Sequence, residues 1–459
     1  DFFYTNLDTF DQKRILEKLY KLEEKYFSDR KTIWQLMHTA PYLMDDHHSR
    51  KPYYKIVGGQ DILLYYFYCH LEYTLHLLEE ITPELVICFN GNNLYKQLFA
   101  DICRQKSIPF LCIFPSRIQS YLTILNSSYA NITLPGSSIS SSSWTTASKI
   151  LNTASIDITS TIYKGIFNQA EGRMKSGRWS VLLYAFTSFK ESMWYQIKKI
   201  AKLAYLSLSG GYKNKYKLFN SARHLVILNQ IIILIRTFRY VFSKHYYNND
   251  HDLIKVLKAN GQKYFYFPLH LLPESATLSQ SNSYYEDDLI RTVSSLLTVD
   301  YHIIVKENPL MIGHRDFSFY SRLNSLRNVT VVGPMIPTSY LLPRSCGVIA
   351  ISGTICIEAL MLRKPVFVLG TPEFSELISD SYKGIESTNR FLSDVHFNSY
   401  KFLNNLEPYI ASVVELGIKL EPGDLRKIYL GSDDTSIERI TEIISIQLKR
   451  YHELFINPS

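Results

Sequence analysis

Three short stretches of the sequence hold residues suited to binding an anion and moving a proton. The first is Ile304-Val-Lys-Glu-Asn-Pro309, where an apolar run meets Lys306, Glu307, Asn308 and Pro309. A lysine is a point charge for phosphate, and an asparagine both donates and accepts hydrogen bonds. A surface Lys306–Glu307 pair, worth little, uses the same residues. The second is Ile351-Ser-Gly-Thr354, with Glu358 one turn further on. Glycine lets another group approach the backbone, and the N–H groups that open a helix favour an anion. Glu358 shares a helix face with Thr354 and could accept from ribose hydroxyls; ordinary helix capping explains Ser352-Gly353-Thr354 equally well. The third is the polar loop after Phe267, carrying His270, Glu274, Ser275 and Thr277. It suits an acid/base or hydroxyl-binding group, and it equally suits a plain turn.

Each cluster leaves the C-terminal end of a predicted strand, the rim where open α/β sheets bind ligands. Hydrophobic patterning predicts strands over 263–267, 302–306, 328–332, 347–351 and 365–369. Helices over 284–297, 317–326, 337–343 and 354–362 alternate with them, and helices near 402–417 and 435–451 close the unit. That alternation predicts a doubly wound parallel sheet. In the first half, helices over 8–27 and 65–80 precede a strand over 84–90, a helix over 94–106 and a strand over 108–114, a βαβ unit. The first of these strands ends at Asn90 and Asn92 with no carboxylate in its tip, and the second at Ser116 and Arg117. Asp61, after Gly58-Gly59-Gln60, is a candidate base and equally a helix cap. The Ser/Thr-rich stretch 133–163 reads as a flexible loop or surface excursion, and 178–258 as mostly helical.

With 459 residues the chain suits two domains, expected at 1–258 and 259–459. A formal charge of +8 fits anionic ligands, without the basic stripe of a nucleic-acid binder. The basic run 190–217 reads first as a solvated helix face and second as an anionic-lipid contact. Six cysteines show no CxxC or His-paired spacing, which indicates buried thiols in a reducing compartment. No secretory signal is visible at the start, although the chain begins at Asp1 without Met. Leu225 to Ile235 is too short to span a bilayer. His47-His48 lies in a polar stretch and the other histidines are scattered, so no metal site is expected.

In order, FPLHLLPESAT, VKENPLMIGHRDFSFY, NVTVVGP and ISGTICIEALMLRKPVFVLG resemble the C-terminal half of bacterial capsule polysaccharide biosynthesis proteins, a family that includes the Kdo transferases of capsule assembly. The resemblance covers roughly 263–375, and more loosely 84–118 through a strand, a helix and PSRI. It implies a GT-B glycosyltransferase with two Rossmann-like domains facing a central cleft. The nucleotide-sugar donor, in the CMP-sugar branch, would lie in the C-domain and the acceptor on the N-domain. Carried onto this sequence, Lys306, Glu307, Asn308, Ser352, Gly353 and Thr354 would meet the nucleotide phosphate and Glu358 the ribose or base. His270 and Glu274 would lie near the sugar, with Asp61 a further catalytic candidate. Asn90, Asn92, Ser116 and Arg117 would form the acceptor side. The family's histidine is Asn308 here; an asparagine keeps a hydrogen bond but cannot become cationic, a loss on the order of 1.5–3 kcal/mol.

The leading expectation is therefore a cytoplasmic, metal-independent transferase of surface-polysaccharide assembly, with peripheral contact to the inner membrane as a second feature. It would need no cofactor beyond the nucleotide sugar, would act on a glycan or glycolipid, and would use Kdo or a related sugar. A noncatalytic glycan- or nucleotide-binding protein of the same pathway is the alternative, and an epimerase of similar architecture a third.

Overall fold

In a computed structural model of the chain, the description covers residues 12–26, 59–89, 94–118, 121–126, 132–152, 244–248, 253–271 and 285–419, apart from 312, 314 and 335, with a few scattered positions besides. The histidine pair at 47–48, the basic run 190–217, the apolar run 225–235 and the helix expected near 435–451 lie outside it or are touched only at single positions.

The second half carries a five-stranded, all-parallel sheet built from β4 (Lys263–Pro268), β5 (Tyr301–Lys306), β6 (Val329–Val332), β7 (Gly347–Ala350) and β8 (Val366–Val368), in the order β6-β5-β4-β7-β8. These strands are short and mostly apolar, as expected when helices cover both faces of a parallel sheet. The covering helices are α5 (Leu253–Ala259), α6 (Glu286–Leu296), α7 (Phe317–Asn324), α8 (Thr338–Leu341), α9 (Thr354–Met361) and α10 (Thr388–His396). The aromatic strand β4 is central. Phe265 and Phe267 are buried, with Phe265 stacked on Tyr301 and packed against Phe391.

The first half contains α1 (Gln12–Tyr26), α2 (Gly59–Ile81), and the expected βαβ unit of β1 (Val86–Phe89), α3 (Leu94–Gln105) and β2 (Phe110–Pro115). Its sheet then continues with antiparallel partners, β3 (Tyr121–Leu125) and β9 (Ile418–Lys419), in the order β1-β2-β3-β9. Two α/β halves on separate sheets are what a GT-B-like chain requires. β9 comes from the far end of the sequence, so the polypeptide crosses back to the first sheet. Gly417 makes that return possible: a Cβ there would lie 2.0 Å from the Val413 carbonyl oxygen and 2.8 Å from that of Leu122.

The Ser/Thr-rich stretch is not a flexible loop over its described part. Residues 141–152 form α4 (Ser141–Asn152), which packs on α11 (Leu406–Leu416). Hydroxyl groups lower helix propensity because they compete for backbone bonds, and two here do fold back, Thr145 onto the Ser141 carbonyl and Thr146 onto that of Ser142. Tertiary contacts decide the outcome. Ser140 Oγ donates to Glu415 at 2.6 Å, Ser148 bonds Glu407, and Leu134 N–H donates to Ser412 Oγ at 2.9 Å. One continuous core runs through this seam, from Leu111 and Ile124 of the first sheet to Tyr409, Ile410 and the strands of the second. Among the described residues, no helix is long and apolar enough to cross a membrane.

Candidate functional site

The chain builds β4, β5 and β6 outward in one direction, then returns past β4 to lay down β7 and β8. The order therefore reverses between β4 and β7, and a crevice outside the carboxyl ends of those two strands is where such sheets bind ligands. His270 follows β4 and Ser352 follows β7. The His270 Nε2 atom lies 2.8 Å from the Ser352 carbonyl oxygen and 3.3 Å from its N–H, so the imidazole ties the two strand exits together.

Next to this tie, Gly353 has φ 116° and ψ 163°, a conformation for glycine alone. A Cβ built there would meet nothing within 4 Å, so the backbone ahead of α9 faces open space. The turn is conformationally specialised, stereochemically reserved for glycine, and accessible. N–H groups at the start of α9 add the polarity that suits an anion.

At the neighbouring strand end, Lys306 Nζ donates to Thr338 Oγ1 at 3.0 Å. Burial pulls the ammonium pKa down to about 8, against the opposing charge of Glu358. Glu358 is buried on α9, and its charge also raises the Tyr266 phenol, whose shift comes mainly from burial. Lys306, Thr338, Tyr266 and Glu358 thus form a polar cluster under the rim. Glu358 sits within it rather than on the solvent side of the helix, where a ribose would most simply arrive.

Glu307, expected on the ligand side, turns inward and is 1% exposed. Its Oε1 accepts from Arg315 Nη1 at 2.7 Å and from the Asn308 N–H at 2.6 Å, and its Oε2 accepts from the Tyr320 hydroxyl. Tyr247 donates in turn to Tyr320 at 3.2 Å. Burial pushes the Glu307 carboxyl up against these donors. Glu307 directly follows the last residue of β5, and Arg315 and Tyr320 hold its carboxylate on the interior side.

Arg315 is the hub of this layer. Its Nη2 donates to Glu286 and to the His270 carbonyl oxygen, the latter at 2.7 Å, and its guanidinium lies over the Phe319 ring. Glu286, in the first turn of α6, accepts from the His270 N–H at 2.6 Å and faces its Nδ1 at 3.0 Å. Burial alone would raise the Glu286 carboxyl, but Arg315 and the His270 contacts outweigh it and hold the group below the usual range. The residue after Arg315, Asp316, caps α7 by accepting from Phe319 N–H at 2.8 Å, which fixes where Arg315 enters. A connected path thus runs Glu307–Arg315–Glu286–His270–Ser352 and ends at the open glycine. His270 has both ring nitrogens engaged in it, which makes the imidazole a brace for the Ser352 turn.

Of the other expected residues, Ser116 forms a turn, its Oγ accepting from Ile118 N–H at 2.9 Å. Arg117 pairs with the buried Glu373, and the charges of both reach Cys356 in the first turn of α9. That side chain therefore links the first half to the region of the open turn. Asp61 lies in the first turn of α2, with its side chain outside the description; Asn90, Asn92 and Glu274 are outside it altogether. Sequence reasoning left Glu286, Arg315, Tyr320, Thr338 and Glu373 unassigned. Glu286 carried the pattern of an ordinary acidic first turn, and Arg315 stood inside a quoted motif without a visible partner, since its carboxylates lie 8 and 29 residues away.

The model of the family described as capsule polysaccharide biosynthesis protein matches residues 197–379. No curated protein matches the sequence. Among solved structures, the chain is similar to S. aureus MnaA in complex with UDP, at 9% identity and TM-score 0.26, covering 80% of this chain and 79% of that one. It is similar at 11% identity and TM-score 0.25 to Neisseria meningitidis UDP-GlcNAc 2-epimerase bound to UDP-GlcNAc, covering 77% and 79%. The Methanocaldococcus jannaschii UDP-GlcNAc 2-epimerase in complex with UDP-GlcNAc and UDP gives 11% identity and TM-score 0.26, covering 75% and 79%. At such scores the strand orders, not the overlap, define the fold.

Proposed function

We propose that this chain is a nucleotide-sugar-dependent glycosyltransferase of capsule or surface polysaccharide assembly, moving a sugar from its nucleotide donor to a glycan or glycolipid hydroxyl. The observation that carries the reading is the open Gly353 turn at the sheet's point of reversal, braced by His270, with Lys306 at the carboxyl end of β5 in the same sheet. The match of residues 197–379 to the capsule polysaccharide biosynthesis family supports the pathway.

In this reading the donor's phosphate sits over Gly353 and Thr354 and receives their N–H groups, with Lys306 supplying positive charge and the Asn308 side chain a neutral hydrogen bond. An acceptor hydroxyl oxygen bonds to the anomeric carbon as the bond from that carbon to the phosphate oxygen breaks. The hydroxyl proton passes to a carboxylate, for which Glu274 and Asp61 are the proposed candidates, and the nucleotide leaves with its charge held by the donors at the turn. Preorganised donors aimed at that developing charge lower the barrier to its departure. CMP-Kdo is the proposed donor. The proposed acceptor side is Asn90, Asn92, Ser116 and Arg117, and the proposed site of action is the cytoplasmic face of the inner membrane. Asn308 at the family's histidine position favours a second reading, a nucleotide- or glycan-binding protein that no longer turns its ligand over.

A thermal-shift panel of CMP, UDP, GDP and ADP, with Lys306→Ala and Gly353→Ala alongside, tests the site. A ligand at a hundred times its dissociation constant adds about 2.7 kcal/mol. A CMP-selective shift lost in both variants supports the reading; UDP or GDP selectivity discards the CMP branch. No shift with any nucleotide refutes the site. Binding without consumption of donor, across a broad acceptor mixture, selects the noncatalytic reading.

A further inference from the structure

Away from the nucleotide site, the small core of the first half gathers four of the six cysteines: Cys69, Cys103 and Cys112 are buried in it, and Cys88 packs against it half-buried. Two of the four are aligned. Cys88 of β1 and Cys112 of β2 are register partners on adjacent parallel strands. Register partners of a parallel pair point to the same sheet face, and neighbouring strands run about 4.7–4.9 Å apart. That spacing falls inside the window of about 4.4–6.8 Å between Cα atoms that a disulfide accepts. None of the cysteines forms a disulfide in this structure.

The two thiols are not equivalent. Among the described residues β1 is the end strand of its sheet, and its Cys88 is half-buried whereas Cys112 is fully buried, so Cys88 is the one reagents can reach. The neighbouring Cys112 thiol, and then the positive charge of Lys96 in the first turn of α3, outweigh burial and favour the Cys88 thiolate. Cys103, on the same helix, is pushed the other way, to about 11, by burial and then by Cys88 itself. A thiolate, not a thiol, attacks peroxide.

We infer that Cys88 and Cys112 form a peroxide-responsive pair, in which Cys88 is oxidised first and Cys112 closes a disulfide between β1 and β2. The Cys88 thiolate attacks one peroxide oxygen, breaking the O–O bond and leaving a sulfenic acid as the other oxygen departs as water with a proton. The Cys112 sulfur then attacks the Cys88 sulfur and displaces a second water. Two thiols and one hydrogen peroxide give one disulfide and two waters, with a thiol reductant such as dithiothreitol reversing the change. This pair stands independently of the transferase reading.

The test treats the intact, folded chain with hydrogen peroxide, counts thiols by a colorimetric reagent and maps disulfides by peptide mass spectrometry. Loss of two thiols per chain, a Cys88–Cys112 cross-linked peptide, and recovery with dithiothreitol are expected. Cys112→Ser should accumulate a sulfenic acid at Cys88, trapped by dimedone, and Cys103→Ser should behave as the wild type. A link that maps to Cys103, thiol loss that persists in Cys88→Ser, or a folded wild-type chain that keeps all its thiols would each overturn the inference. The wild-type map decides the matter even if a variant folds poorly.

Discussion

Arg315→Met removes the one guanidinium that two buried carboxylates share. Arg315 is 5% exposed in its side chain, while Glu286 and Glu307 are fully buried in theirs. Methionine replaces much of the aliphatic stem, so the loss is mainly electrostatic. Breaking a buried pair by removing one partner costs about 3–5 kcal/mol, because a charge is left without compensation. At about 2–4 °C per kcal/mol for a domain of this size, the melting temperature should fall by about 6–20 °C. Thermal and urea unfolding followed by circular dichroism at pH 7.5 would measure it. The difference should narrow in acid. The depressed Glu286 carboxyl contributes stability in the wild type that is present above the ordinary glutamate range and lost as pH falls through its lowered pKa. In the variant the same carboxyls, left in low dielectric without the arginine, gain by protonation as pH falls. Adding Glu307→Gln should recover part of the loss. Arg322→Ala is the control: its pair with Asp287 involves an arginine side chain 44% exposed, and such pairs contribute about 0–1 kcal/mol. If Arg315→Met costs no more than Arg322→Ala, the buried layer does not support the strand exits and the argument for it fails.

Gly353→Ala should cost about 1–3 kcal/mol from backbone strain alone, since no neighbour lies within 4 Å of the new Cβ; calorimetric titration should show nucleotide binding falling further than that loss accounts for. Lys306 should give two opposite pH responses. Nucleotide affinity should drop as pH rises through about 8, where the folded ammonium loses its proton. Unliganded stability should rise from about 8 towards the ordinary lysine value of 10.5, because over that window the unfolded chain binds the extra proton. Lys306→Met should flatten both curves, and a titration series across pH 6.5–9.5, spanning the range on either side of about 8, checks them. Arg117→Ala leaves Glu373 buried without its bidentate partner and should cost about 3 kcal/mol in urea unfolding, at the low end for a buried pair because Arg117 reaches solvent.

The second half was the more legible part of the sequence. Its five strands, three to six residues long, and their alternating helices follow from mostly apolar runs punctuated by proline, glycine and polar turns, a pattern that a buried parallel sheet imposes locally. Gly353 was legible for the same reason, since a Ser-Gly-Thr opening a helix is a local signal. The brace beneath it was not. Whether Glu307 faces the rim or the interior depends on Arg315 and Tyr320, and nothing within β5 announces them. The helix at 141–152 shows the limit most plainly. Its serines and threonines argue for a loop on intrinsic grounds, and only Glu407, Glu415 and Ser412, more than 250 residues away, make the helix worth forming. β9 was invisible for the same reason: a two-residue strand has no periodicity to read.

The crossing of β9 back to β3 also sets a timetable for synthesis. When β3 leaves the ribosome, Ile132 follows within a few residues to meet Ile124, but Tyr121 and Leu122 at the start of its outer edge wait for β9, about 300 residues later, on the order of 15–60 s at common elongation rates. For that interval the nascent first half presents the open edge of a buried strand, the kind of surface that recruits other chains. Completion of the first sheet is therefore coupled to the arrival of the second.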